Sequence, residues 1–246
     1  MNNPFSLSGK TILVTGASAG IGRGIAIACA GMGAQVVLTG RNIERLQDTL
    51  STLEGEGHSY IAADLTEAAQ RTALVEQLPM LHGVVHCAGV GSRVPCKMLT
   101  QEDLNYVMKP NAEAPMLLQA ELLSEKKIAK QASIVFVASA AASMPSAGNA
   151  AYSASKAAII AYAKCLAQEL APRQIRVNSI SPAMVWTDLA LVGATAEQLA
   201  EAEKQYPLKR YGRPQDIAHL AVYMLSDASG WMTGSDVQIT GGTQVL

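Results

Sequence analysis

Tyr152 and Lys156 stand at positions i and i+4 in Tyr152-Ser153-Ala154-Ser155-Lys156, so a helix there presents both side chains on one face. A phenol with a reference pKa of about 10 exchanges few protons at neutral pH, but a neighbouring ammonium favours its ionised form. So placed, Tyr152 can trade a proton with a carbonyl or alcohol oxygen. Ser139 lies 13 residues upstream in Val137-Ala138-Ser139-Ala140, just past an apolar run, and its hydroxyl could hold the same oxygen. Asn111 falls inside a long stretch of helical spacing although its side chain competes for backbone hydrogen bonds, which points to a local kink holding a water. Each feature is common alone, since Y-x-x-x-K is usually helix surface and a serine often simply ends a strand. Their weight comes from occurring together.

Gly16, Gly20 and Gly22 form a second constellation in Thr15-Gly16-Ala17-Ser18-Ala19-Gly20-Ile21-Gly22, between an apolar run and a segment of helical spacing. Glycines there let the backbone turn tightly and approach a pyrophosphate, while the helix start supplies unpaired N–H groups and a positive dipole end. The spacing is G-x-x-x-G-x-G rather than the commoner G-x-G-x-x-G, so the flanking strand and helix carry the assignment. At the end of the second strand an acidic side chain would bind a ribose 2′-hydroxyl and a basic one would accommodate a 2′-phosphate. The sequence there is Leu38-Thr39-Gly40-Arg41-Asn42. Arg41 can pair bidentately with a phosphate, which predicts NADP(H) rather than NAD(H). Asp64, after the third strand, is placed either to meet the adenine or to cap the helix that follows.

These groups need a scaffold that brings strand ends and helix starts together. Apolar, β-branched runs predict strands at Thr11–Thr15, Gln35–Thr39, His58–Ala62, Gly83–His86, Ser133–Ala138, Arg176–Ile180 and Asp236–Thr240. Helical spacing between them predicts helices near Ile21–Gly31, Ile43–Leu53, Thr66–Leu78, Thr100–Leu123, Ala151–Leu170 and Pro214–Leu225. This alternation predicts an α/β fold, a three-layer Rossmann-type doubly wound sheet of seven parallel strands in the order 3-2-1-4-5-6-7. Nothing interrupts it, so residues 1–246 are expected to form a single domain, with the irregular Ala/Glu/Gln-rich stretch 186–211 as a mobile lid.

Composition removes several classes of function. The 19 Lys and Arg balance 20 Asp and Glu for a net charge of −1, which leaves no field to hold nucleic acid. No charged segment leads an apolar run at the N-terminus and no uncharged 18-residue apolar stretch occurs, so neither export nor a membrane span is expected. Cys29, Cys87, Cys96 and Cys165 are scattered without metal-binding spacing, which suggests reduced thiols in the cytoplasm and no metal site. The segment Ala151–Leu170 is small or apolar on more than one face, and the tail from Trp231 to Leu246 carries no charge after Asp236. Two such surfaces predict two isologous interfaces and a homotetramer.

Taken together, these motifs resemble the short-chain dehydrogenase/reductase family almost from end to end. The turn at 15–22, Ser139, the YSASK segment, Val177-Asn178-Ser179-Ile180-Ser181-Pro182, Gly212-Arg213-Pro214 and Gly241-Gly242 carry the likeness. The resemblance implies a tetrad of Asn111, Ser139, Tyr152 and Lys156. In it Tyr152 is the acid/base, Ser139 orients the carbonyl, Asn111 orders a water, and Lys156 binds the nicotinamide ribose. It also implies cofactor contacts from Gly16, Ser18, Gly20, Ile21 and Gly22 in the turn, and from Arg41, Asp64 and Leu65 at the adenosine end. Ala88, Gly89, Tyr152 and Lys156 would meet the ribose, and Pro182, Val185 and Thr187 the nicotinamide. The chain departs from the family in having His86-Cys87 before Ala88-Gly89 where two asparagines are usual, Ala183 after Pro182, and Thr240 before Gly241.

Within the family the pattern looks most like 3-oxoacyl-acyl-carrier-protein reductases, of the kind that serve fatty acid biosynthesis, through Gly212-Arg213-Pro214-Gln215-Asp216-Ile217-Ala218 and the closing strand. An acidic carrier protein would need a basic patch beside the entrance, for which Lys126, Lys127, Lys130 and Arg173 are candidates, although they could equally be solvated helix ends. The alternatives are a reductase of a free small ketone, sugar or cyclic alcohol, and a non-catalytic dinucleotide-binding protein.

Overall fold

The apolar runs of the sequence pair as strands β1 (Thr11–Thr15), β2 (Gln35–Gly40), β3 (Ser59–Ala62), β4 (Leu81–His86), β5 (Ile128–Val137), β6 (Arg176–Pro182) and β7 (Asp236–Ile239). They form one parallel sheet in the order β3-β2-β1-β4-β5-β6-β7, as the crossover rule predicts. The computed structural model describes residues 3–191 and 195–243. Helices α1 (Gly20–Gly31), α2 (Ile43–Ser51), α3 (Ala68–Gln77), α4 (Gln101–Met108), α5 (Ala114–Ser124), α6 (Ala150–Leu170), α7 (Ala196–Glu203) and α8 (Pro214–Leu225) connect them.

Alternate residues of each strand feed two separate cores, because successive side chains leave opposite faces of a sheet. Ile12 and Val14 of β1 pack with Ile25 and Cys29 of α1 and Ile217 and Ala221 of α8. Leu13 between them packs with the other layer, where Leu74, Leu118, Ile159 and Leu166 come from α3, α5 and α6. Both faces are therefore dry, which explains why the strands lack polar alternation.

Three boundaries differ from the sequence expectation in informative ways. β5 begins at Ile128 rather than Ser133, an early start hidden in the sequence by Lys130 and Gln131, which interrupt the apolar run. Gln131 takes a φ of 62°, and the pairing with β4 shifts register between Leu81 and Gly83. The expected helix Thr100–Leu123 is continuous but changes winding: α4 passes into a π-turn over Lys109–Glu113 before α5, which is the kink expected at Asn111. The stretch 186–211 is not irregular throughout. Thr195 and Gln198 form a capping box that starts α7, and Trp186, Tyr211 and Tyr206 pack in sequence with ring centroids 5.6 and 4.9 Å apart.

The C-terminal strand ends point to one rim, and there His86 closes β4 in a dry setting. Its ring stacks on Phe136 at 4.5 Å and 9°, and its Nε2 meets Gln119 Oε1 at 3.0 Å. Burial pushes its pKa down to about 4 against the opposing pull of that hydrogen bond. A depressed histidine is neutral in the fold at a pH where the unfolded chain already binds a proton, so its contribution is present above pH 6.5 and is lost as pH falls toward 4. Urea titrations across that window should therefore show stability dropping with pH by up to about 3 kcal/mol from this residue. His86→Asn should flatten the slope; an unchanged slope would show that His86 is not its source.

Candidate active site

Two chain features build the floor of the crevice at the C-terminal rim. Gly16 has a φ of 65°, and a Cβ there would stand 2.8 Å from Ala88 Cα, so the first turn and the β4 exit run backbone against backbone. Thr15 Oγ1 fixes that contact by accepting from the N–H groups of Cys87 at 2.9 Å and Ala88 at 3.1 Å. Within the turn, a Cβ on Gly22 would lie 2.3 Å from Gly16 O, so the start of α1 can sit this close only as glycine. Ser18 and Ile21 flank these glycines, and Ile21 lines the adjoining cavity. Thr187 reaches over the turn, its Cγ2 3.1 Å from where a Cβ of Gly20 would be.

A separate cavity of about 230 Å³ is lined by Arg41, Ala62, Ala63, Asp64 and Gln70, two of the residues expected at the adenosine end among them. Arg41 is largely exposed, and its Nη1 stands 4.0 Å from Asp64 Oδ2. Asp64 does not cap α3, which begins at Ala68 after Glu67. Its Oδ1 accepts instead from the Thr66 N–H at 3.0 Å and the Thr66 hydroxyl at 2.8 Å. Partial burial works against its charge, but those hydrogen bonds and Arg41 outweigh it and hold the carboxyl below its ordinary pKa. Leu65 beside it is buried.

The second set of residues meets around a cavity of about 360 Å³, to which Ser139, Tyr152, Pro182, Val185 and Thr187 all contribute. Tyr152 and Lys156 share one face of α6 as their spacing predicts, with Nζ 5.9 Å from the phenol ring centroid. Lys156 is buried and donates to Val137 O at 3.0 Å, the last carbonyl of β5, which ties α6 to the strand that presents Ser139. Ser139 Oγ accepts from the Ala141 N–H at 3.1 Å at the head of a short 3₁₀ turn. Its own O–H is left free to point elsewhere.

Asn111 sits in the π-turn, fully buried, with its amide bonded to protein. Oδ1 accepts from Val90 N–H at 2.8 Å, and Nδ2 donates to Val90 O at 2.9 Å and to Ser155 Oγ at 3.2 Å. Ser155 in turn donates to Tyr152 O at 2.7 Å. Gly89 passes so close that a Cβ there would be 2.9 Å from Asn111 Oδ1 and 3.4 Å from Lys156 Nζ. Sequence reasoning misses Ser155 and Val90 as partners of Asn111, and Arg93, Met144 and Tyr206 as cavity walls. The S-x-S-K spacing around Ser155 is visible, but a helix serine gives no sign of what it faces.

Neither departure at the end of β4 brings a reactive group to the cavity. His86 is a neutral core residue, and burial pushes the Cys87 thiol up to about 12 despite Lys156 nearby. The basic cluster expected beside the entrance is at the wrong end of this subunit. Lys126, Lys127 and Lys130 flank the start of β5, more than about 20 Å along the strand from Ser139. Lys127 caps the carbonyls of Glu76 and Leu78 at 3.1 and 2.7 Å, and Arg173 donates to Ile128 O. Among the described residues no helix is long and apolar enough to cross a membrane.

A family model described as enoyl-(acyl carrier protein) reductase matches residues 16–244. The chain is 30% identical over 238 residues to a 3-oxoacyl-acyl-carrier-protein reductase of Rickettsia conorii, covering 97% of this chain and 98% of that one. An L-xylulose reductase of Caenorhabditis elegans is 31% identical, with 97% of each chain covered. Among solved structures, a Beutenbergia cavernae protein described as a candidate NAD(P)-dependent gluconate 5-dehydrogenase, with NADP bound at low occupancy, matches with a TM-score of 0.86. It is 31% identical and 98% of each chain is covered. The chain belongs to the short-chain dehydrogenase/reductase family, oxidoreductases that act on CH–OH groups with a nicotinamide dinucleotide.

Proposed function

We propose that this chain is an NADP(H)-dependent reductase of a carbonyl group, with Asn111, Ser139, Tyr152 and Lys156 as its working residues. The observation that carries the reading is the single cavity in which Tyr152 and Ser139 converge while Lys156 stands behind the phenol. The dinucleotide would lie across the turn of Gly16, Gly20 and Gly22 at the start of α1, whose first N–H groups suit a pyrophosphate, and its nicotinamide would supply or accept the hydride. Pro182, Val185 and Thr187 would hold that end, and Ala88, Gly89 and Lys156 the adjoining ribose.

Tyr152 gives its proton to the substrate oxygen during reduction. Ser139, already accepting from Ala141, uses its free O–H to hold the same oxygen. Lys156 has three donors and commits one to Val137, which leaves two for the phenol and a ribose hydroxyl. Asn111 is a positioning residue, because its amide fixes Val90 and Ser155 rather than facing the cavity.

Support for a 3-oxoacyl thioester as substrate comes from the Rickettsia relative, and support for acyl carrier protein as its bearer from that relative and from the description of the family model. A free small carbonyl compound is the second reading, favoured by the L-xylulose reductase relative and by the placement of the basic cluster far from Ser139. NADP(H) is preferred through Arg41, which lines the adenosine cavity. The four free thiols suit the cytoplasm.

The protein is a homotetramer on this reading. Ala154, Ala157 and Ala161 make an exposed apolar row on α6, and Tyr106 and Leu117 lie exposed on the neighbouring α4 and α5. Trp231, fully exposed at the start of the tail, supplies the second surface, whose last residues 244–246 lie outside those described.

Assays with NADPH on one acyl thioester and several free ketones separate the two substrate readings. On whichever is turned over, Tyr152→Phe should keep cofactor binding and lose about 10²–10⁴-fold in turnover. Near-normal turnover would overturn the assignment. Arg41→Ala should weaken NADPH by about tenfold or more and NADH far less, as loss of a charge-assisted bond of roughly 1.5–3 kcal/mol requires. Equal wild-type affinity for both cofactors contradicts it. Sedimentation equilibrium should find four times the 25.8 kDa subunit; a species of subunit mass would end the tetramer.

A further inference from the structure

Among the described residues the wall of the 360 Å³ cavity contains one charged side chain, Arg93, and no acid. The remaining walls are apolar or neutral, with Met144, Ser146, Asn149 and Tyr206 among them. Among the described residues Arg93 makes no ion pair, whereas Arg41, Arg45, Arg71 and Arg210 each stand within 4.0 Å of a carboxylate. Arg93 is exposed, and what distinguishes it is its place in the wall of the cavity that holds Tyr152 and Ser139.

Its loop is held. Three residues before it, Val90 is clamped through both its N–H and its C=O by Asn111 at 2.8 and 2.9 Å. One residue after it, the Val94 N–H donates to Gly148 O at 2.8 Å, which joins this loop to the segment leading into α6 and Tyr152. Between them Gly91 packs on Leu189, with Cδ1 3.1 Å from where a Cβ would stand. Arg93 is thus carried on a loop whose backbone is fixed on both sides, in the wall of the same cavity that holds Tyr152 and Ser139.

We infer that this cavity selects carbonyl substrates bearing an anionic group, a carboxylate or a phosphate, and that Arg93 receives that group while Tyr152 and Ser139 hold the carbonyl oxygen. A planar guanidinium with five donors matches either anion in a bidentate fork, and no acid among the described wall residues is set against it. Electrostatic preference of this kind discriminates between substrates more than it changes the chemical step. The inference rests on the carbonyl-reductase reading for its reacting end, and on Arg93 alone for its anion end.

The test is a set of matched pairs assayed with NADPH: 4-oxopentanoate against its methyl ester, and a ketose phosphate against the free ketose. Wild type should favour the anionic member of at least one pair by about tenfold or more in kcat/KM, mainly through KM. Arg93→Ala should bring the ratio near one, and Arg93→Lys should keep part of it. Whichever pair shows the preference identifies the anion as carboxylate or phosphate. Alongside, calorimetric binding of succinate and of inorganic phosphate to the NADP⁺ complex reads the anion site without turnover. Binding lost in Arg93→Ala, with no carbonyl compound reduced by any form, would keep the anion site and sink the reductase reading. Equal use of both members in both pairs, or ratios and anion binding unmoved by Arg93→Ala, would overturn the inference.

Discussion

The side-chain amide of Asn111 is the tie on which the arrangement depends. It joins three pieces of chain that come from different parts of the sequence: the π-turn itself, the loop after β4 at Val90, and α6 at Ser155. An asparagine can do this because its amide both donates and accepts, so one side chain satisfies the N–H and the C=O of a single residue and still reaches a hydroxyl. The wider π-turn is what swings it inward, since residues of an uninterrupted α-helix at that position would keep their i→i−4 bonding and present a different face. Buried amides without partners are costly, so the tie holds the three segments in register as well as joining them.

A second constraint follows from Lys156. Its side chain is 6% exposed, and none of the ion pairs among the described residues includes it. A buried amine with spare donors is tolerable only where polar partners are to hand. Here Val137 O takes one donor, and Gly89, Asn111 and the Tyr152 phenol surround the rest. The close passage of Gly89 belongs to the same crowding, because any side chain there would displace either the amide or the amine. Cys87, two residues further back, is kept protonated by desolvation that pushes its thiol up to about 12. The reactive inventory of the crevice therefore narrows to the phenol, the serine hydroxyl and the amine.

Features with a strict period or a backbone requirement are legible in the amino-acid sequence itself. The Tyr152–Lys156 spacing, the glycine turn and the strand order follow from helix pitch, from the space a Cβ needs and from crossover handedness. Asn111 signals a break in its helix because it is a poor interior residue, but its partners at Val90 and Ser155 lie 21 and 44 residues away and only the fold brings them in. The early start of β5 is hidden by Lys130 and Gln131, and α7 by an Ala/Glu/Gln composition that reads equally well as loop despite its capping box. The basic cluster fails for a different reason: sequence shows that lysines adjoin a strand, yet which rim of the sheet they occupy depends on strand direction, and they adjoin the start of β5 rather than its end.

On this reading one substrate oxygen is held jointly by Ser139, just past β5, and Tyr152 of α6, beside a nicotinamide. A crystal structure of the ternary complex with NADP⁺ and a ketone or alcohol that the protein turns over tests it most directly. The substrate oxygen should lie within about 2.6–3.2 Å of both Tyr152 Oη and Ser139 Oγ, with Lys156 on the ribose. A substrate oxygen bound to neither hydroxyl, or a dinucleotide lying outside the turn of Gly16, Gly20 and Gly22, would contradict it.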